Sequence, residues 1–129
     1  MVFIPTKKAD PFKRPRVRLL SDGVERHEIL GGSHNFSDFG LRIQGNGPPV
    51  ETVWRDCTIN CPRPLIYVDS DVPYTRPVSI ICENVTHTGA DGTISGVYLP
   101  CHLDKVLIDG CDLQGPYASY GIAVGRHEA

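Results

Sequence analysis

No stretch of the chain strings together the ~18–20 apolar residues that a membrane-spanning helix requires, and no membrane partner is expected. Nor does any stretch sustain apolar residues at i, i+3 and i+4, which excludes a body built of amphipathic helices. The opening residues, MVFIPTKKADPFKR, interrupt their apolar start with charge where a secretory leader needs a continuous apolar core. Export by that route is not expected. The five cysteines lack zinc-type pairing: Cys57 and Cys61 are spaced C-x3-C, and neither Cys82 nor the adjacent Cys101 and His102 completes a quartet. They read as small apolar residues of a reducing compartment. Also missing are the G-x-S-x-G elbow, the phosphate-binding glycine loop and the dinucleotide fingerprint. His27, His34, His87, His102 and His127 are scattered, and none pairs with a cysteine or serine in a way that marks a nucleophile. No catalytic set, metal site or cofactor is expected.

Glycine and proline are plentiful instead, 13 and 11 in 129 residues, which favours short strands and turns within one domain. The strands fall into a fourfold repeat. Its second strand reads Leu41-x-Ile43, Ile66-x-Val68, Val97-x-Leu99 and Ile122-x-Val124, with glycine just before it in three copies (Gly40, Gly96, Gly121). Its first strand reads Trp54…Ile59, Val78-x-Ile80…Val85 and Val106-x-Ile108…Leu113, with Val24…Ile29 a poorer copy. Alternation over three or four residues marks short half-buried strands. A repeat of 20–50 residues built only of such strands marks a solenoid, because each unit can bury its apolar face only on the next. A small antiparallel sandwich or jelly roll, which also spaces short strands regularly, is the alternative.

The repeat resembles the right-handed parallel β-helix of pectate-lyase-like enzymes and phage tailspikes, over about residues 24–125. The expected fold is therefore all-β: a short right-handed parallel β-helix of about four coils (24–129) behind an extended N-terminal arm (1–23). Leu41, Ile66, Val97 and Ile122 should form one inward column, and Ile43, Val68, Leu99 and Val124 the next. Arg42, Tyr67, Tyr98 and Ala123 alternate with them and must point outward, so Tyr67 and Tyr98 should stack as an exposed aromatic step. Val53, Ser79 and Leu107 should form an outward column on the other strand.

The resemblance implies possible action on polysaccharide, yet no stretch matches the lyases' acidic cluster and base closely enough to carry a residue across. Asp56-Cys57-Thr58, Cys82-Glu83-Asn84 and Gly110-Cys111-Asp112 read as equivalent corners. That places Glu83 and Asp112 on adjacent rungs, near the separation glycoside hydrolysis uses. Asp69 and Asp71 invite a calcium reading. Acidic residues at turns are more often turn formers, and the chain is not expected to be an enzyme.

Charge is divided unevenly. Residues 1–20 carry Lys7, Lys8, Lys13, Arg14, Arg16 and Arg18 against Asp10, a net of +5, which leaves −7 for the rest. Pro5, Pro11 and Pro15 keep this arm out of a helix, and Phe3, Ile4 and Phe12 supply apolar anchors. Ordering such a segment against a small body is costly, so it is expected to lie on another subunit. Nucleic acid is not the expected partner, since the body is acidic and Phe12 is the sole aromatic interleaved with the basic residues. The reading is a virion structural protein, first a phage capsid decoration (cement) protein bound to the coat protein by its arm and self-associating in a symmetric assembly. Alternatives are a tail or fibre component touching glycans through Tyr67 and Tyr98, and a fragment of a polysaccharide-active enzyme.

Overall fold

A computed structural model describes residues 16–19, 22–100 and 102–125. Its elements are all strands: β1 (Arg16–Leu19), β2 (Glu25–Ile29), β3 (Gly32–Asn35), β4 (Leu41–Ile43), β5 (Val50–Asn60), β6 (Ile66–Val68), β7 (Val78–Thr88), β8 (Thr93–Pro100), β9 (Lys105–Asp109), β10 (Asp112–Leu113) and β11 (Tyr117–Gly125). One sheet stacks β2 and β3, then β5, then β7, then β9 and β10; the other stacks β4, β6, β8 and β11. Every pairing between successive rungs is parallel. The body is thus a parallel β-solenoid of about four turns, and the antiparallel sandwich is excluded. Only β1 breaks the rule, running antiparallel along β2 with Arg16 opposite Glu28 and Leu19 opposite Glu25.

The smaller sheet follows the expected columns. Leu41 pairs with Ile66, Ile66 with Val97, and Val97 with Ile122. Leu41, Ile66, Val97, Ile43, Val68 and Leu99 are buried. Ile122 and Val124 keep the register but not the burial: they are 44% and 63% exposed, and no strand among the described residues pairs with the outer edge of β11. Gly40 and Gly96 precede this strand for want of room. A Cβ at Gly40 would sit 2.4 Å from the carbonyl oxygen of Leu65, and one at Gly96 would sit 3.0 Å from that of Gly121. Leu65, the one large residue in this column, is fully buried between the two glycines.

The larger sheet corrects the alignment. Trp54 pairs with Cys82 and Cys82 with Ile108, while Ile59 and Leu113 both pair with His87. The third copy therefore runs Cys82…His87, two residues beyond the expected Ile80…Val85. The first runs Ile29…His34, five residues beyond the expected Val24…Ile29, since these residues pair with Trp54 and Ile59. The slip of two in the third copy preserves its inward face, because side chains alternate with a period of two. The expected outward column also changes: Val53, Ile81 and Leu107 share it, whereas Ser79 pairs with Glu51 and Lys105. Val53 is buried rather than exposed.

What the larger sheet repeats is its corner. Asp56 (φ 53°), Asn84 (φ 56°) and Gly110 (φ 64°) all adopt the left-handed conformation. Glycine visits it freely, and Asn and Asp are among the few other residues that tolerate it. The Asn84 amide donates to Asp56 Oδ1 at 2.8 Å, tying one corner to the next. Cys57, which pairs with Val85, opens the inward run after this corner. Cys57, Cys61, Cys82 and Cys111 are all free thiols.

Arg76 clips the long 44–49 connection. It is 8% exposed and donates from Nε to the Pro48 carbonyl (2.9 Å) and from Nη1 to those of Gln44 (2.9 Å) and Gly45 (3.2 Å). Thr52 shows the opposite condition: it is fully buried and its hydroxyl has no hydrogen-bond partner. Thr52→Val keeps the shape and removes an unsatisfied polar atom. It should raise stability by about 1 kcal/mol, read as a higher urea midpoint with unchanged slope.

Candidate functional site

Among the described residues, three places carry chemistry-bearing side chains: the outward aromatic column, the acidic corners, and a buried cysteine–histidine–tyrosine cluster.

The aromatic column stands where alternation puts it. Arg42 pairs with Tyr67, Tyr67 with Tyr98, and Ala123 with Tyr98. The Tyr67 and Tyr98 rings meet edge to face at 4.8 Å between centroids. Both are half-buried rather than freely exposed. Phe39, which sequence reasoning missed, extends the column with its ring 5.5 Å from that of Tyr67. It lies in the turn before β4, outside the alternation that marked the tyrosines. Arg42 stands over Phe39 (5.0 Å) and Tyr67 (5.6 Å), and Arg63 over Phe39 (5.0 Å). Arg42 is held there by a forked pair to Asp69, Nε–Oδ1 3.1 Å and Nη2–Oδ2 3.0 Å. Burial, reinforced by Tyr98 and Asp69, raises the Tyr67 phenol above its usual value, so it stays protonated and can donate. The result is a cationic–aromatic ledge across three rungs, suited to stacking contacts.

The acidic candidates dissolve. Glu83 is bound to Arg55, one rung away, and pairs across the strands with Asp109 rather than Asp112; Asp112 pairs with Thr86. The expected equivalence of Cys82-Glu83-Asn84 with Gly110-Cys111-Asp112 was the same two-residue slip. Asp69 is occupied by Arg42, and Asp71 accepts from the Gly45 N–H at 2.9 Å. No group of three or more His, Cys, Asp or Glu able to hold a metal ion occurs among the described residues.

The buried cluster was invisible in the sequence because its members are 26 and 30 residues apart. Cys61 Sγ lies 3.4 Å from His87 Nε2, and His87 Nδ1 lies 2.8 Å from the Tyr117 hydroxyl. The resemblance to a catalytic triad is superficial. His87 Nε2 is also 3.0 Å from the Cys61 carbonyl oxygen, which can only accept, so Nε2 carries the proton. Nδ1 then accepts from Tyr117. The Cys61 thiol donates to the Arg63 carbonyl, and burial pushes it up to about 12, so no thiolate forms near neutrality. Cys61 and His87 are both fully buried. The cluster is a satisfied polar bridge across three rungs, not a nucleophile.

Of the arm, Phe3, Ile4, Lys7, Lys8, Phe12, Lys13 and Arg14 lie outside the described residues. The backbone around Arg16 and Arg18 is paired to β2 of its own body. The expectation that all of residues 1–20 lie on a neighbour is therefore corrected for 16–19, which find an open strand edge within the same chain. Val17 on β1, with Ile29, Phe36, Leu41 and Trp54, lines an apolar cavity of about 100 Å³ at the first rung.

Comparison with protein-family models, curated proteins and solved structures gives no match to this chain.

The cluster makes a pH signature. Burial lowers the His87 pKa below its ordinary 6.5, so the unfolded chain takes up a proton that the folded chain resists. Stability is full above about pH 7 and falls as pH drops through 6.5 toward the folded value, by up to ~1.4 kcal/mol per pH unit. Urea midpoints at pH 7.5 and 5.5 should show the loss. His87→Asn should be less stable at pH 7.5 but should shed most of that slope.

Proposed function

We propose that this chain is a structural subunit of an assembly, in the first instance a virion decoration protein, and not an enzyme. The observation that carries the reading is the rung of β9 and β11, whose outer edges meet no strand among the described residues. Val106, Ile122 and Val124 are 43–63% exposed, although Ile80, Val97 and Leu99, on which they stack, are core. An exposed sheet edge flanked by apolar side chains is a pairing surface that a solitary protein ordinarily blunts or covers. The nucleophile, acid-pair and metal readings all lose their residues to hydrogen bonds or ion pairs within the fold, which favours binding over turnover. In this reading the basic residues from Lys7 to Arg14, with Phe3, Ile4 and Phe12, engage the coat lattice, while the coil body bridges subunits.

A second reading, a tail or fibre component, is favoured by the ledge of Phe39, Tyr67 and Tyr98 with its stacked arginines. Such a ledge can lie against the apolar face of a sugar ring.

The test is density-gradient sedimentation of lysate from the source culture, with the chain followed by antibody and the fractions viewed in negative stain. Co-migration with capsid-sized particles, reduced when residues 1–15 are deleted, is the expected result. A chain confined to the soluble fractions overturns the reading. Depolymerisation of purified polysaccharide by the intact chain would replace it with the enzymatic one.

A further inference from the structure

We infer that β9 is a self-complementary edge through which two copies of this chain pair antiparallel, about a twofold axis at Leu107. The inference rests on the assembly reading above and names the partner at one of its surfaces.

One side of β9 is spent on β7, with Lys105 opposite Ser79 and Asp109 opposite Glu83. Its other side pairs with no strand among the described residues. The strand reads Lys105-Val106-Leu107-Ile108-Asp109, an apolar centre between opposite charges. Val106 and Leu107 are 43% and 41% exposed, and both terminal charges are exposed.

Place a second copy antiparallel, with Leu107 opposite its equivalent. Each Lys105 then faces the other copy's Asp109, and each Val106 faces an Ile108. Opposed residues in an antiparallel pair share a face, so the charges and Leu107 lie together on the outer side. Val106 and Ile108 lie on the inner side, where they extend the core. A shift of one residue would turn the apolar set outward. A shift of two in either direction sets a charged residue against Leu107. One register satisfies both faces.

The same axis lays the open interior of the last rung against its equivalent, burying Ile122 and Val124 from both copies. Head-to-tail stacking is disfavoured, because a parallel partner would need the β2 edge that β1 already occupies. An isologous contact also closes on itself, giving two copies rather than a fibre.

Sedimentation velocity of the intact chain across micromolar concentrations tests this by charge exchange. The wild type should dimerise. Lys105→Asp or Asp109→Lys alone sets two like-charged pairs across the axis and should weaken dimerisation about tenfold or more. The double variant, K105D with D109K, reverses the order of charges yet keeps them complementary, and should recover the dimer. Both side chains are exposed, so thermal melts should stay close to wild type. A chain that is monomeric throughout, or a double variant no better than the singles, overturns the inference. Failure here is separable from failure of the assembly reading: a monomer that still rides on particles removes only the twofold edge. A charge-sensitive dimer that never meets a particle removes only the virion.

Discussion

In-register stacking is the constraint on which the body depends. A coil of about 25–30 residues cannot bury its own apolar side chains; it can bury them only against the same positions one rung away, ~4.8 Å distant. Val97 is buried because Ile66 lies on one side and Ile122 on the other. Ile122 has the same chemistry and the same register but no second neighbour among the described strands, and it is exposed. The contrast isolates stacking, rather than hydrophobicity, as the source of burial. Stacking also requires the corner to come at one place in every rung. Asp56, Asn84 and Gly110 meet that need with the left-handed conformation, and residues outside Gly, Asn and Asp would carry roughly 1–2 kcal/mol of strain there.

How much of this was legible depended on which sheet was being read. The smaller sheet announces itself with three-residue strands and a preceding glycine, and its columns were read correctly through Ile122 and Val124. Their exposure was not legible, since apolar alternation says which way a side chain points and nothing about whether a further rung exists. The larger sheet reads two residues out in its third copy and five out in its first. Val78, Ile80 and Cys82 are all inward and small enough to interchange, so apolar letters alone cannot choose between them. The corner would have decided it, but its signature changes letter from Asp to Asn to Gly, and only the shared conformation links the three.

The candidate sites divide along the same line. Tyr67 and Tyr98 were legible because they are nearest neighbours in a column set by alternation alone. Phe39 was not, lying in a turn where no period operates. Glu83 and Asp112 were brought together only by the slipped register and separate once it is corrected. Cys61, His87 and Tyr117 belong to three different rungs, and nothing short of the true stacking places them in contact. The basic arm was legible as a charge imbalance. That its last strand would serve its own first rung was not, because β1 reads equally well as a segment seeking any unpaired edge.

The ambiguity that misled the reading is one the folding chain must also resolve. A slip of two residues between rungs keeps every apolar face inward, so hydrophobic burial discriminates weakly between the true register and its neighbours. Polar contacts between rungs discriminate strongly, because a donor displaced by two positions loses its acceptor while remaining buried. The structure places such contacts at each junction. Arg76 reaches the carbonyls of Gln44, Gly45 and Pro48, and His87 joins the Cys61 carbonyl to the Tyr117 hydroxyl. Each links residues 26 to 32 positions apart, the length of one coil. Their contribution to stability over an apolar interior is modest, since burying polar groups costs nearly what pairing them returns. Their contribution to register is what an apolar interior could not supply. The buried His87 cluster, which first looks like misplaced catalytic machinery, is then best understood as the peg that sets the third rung on the second and the fourth on the third.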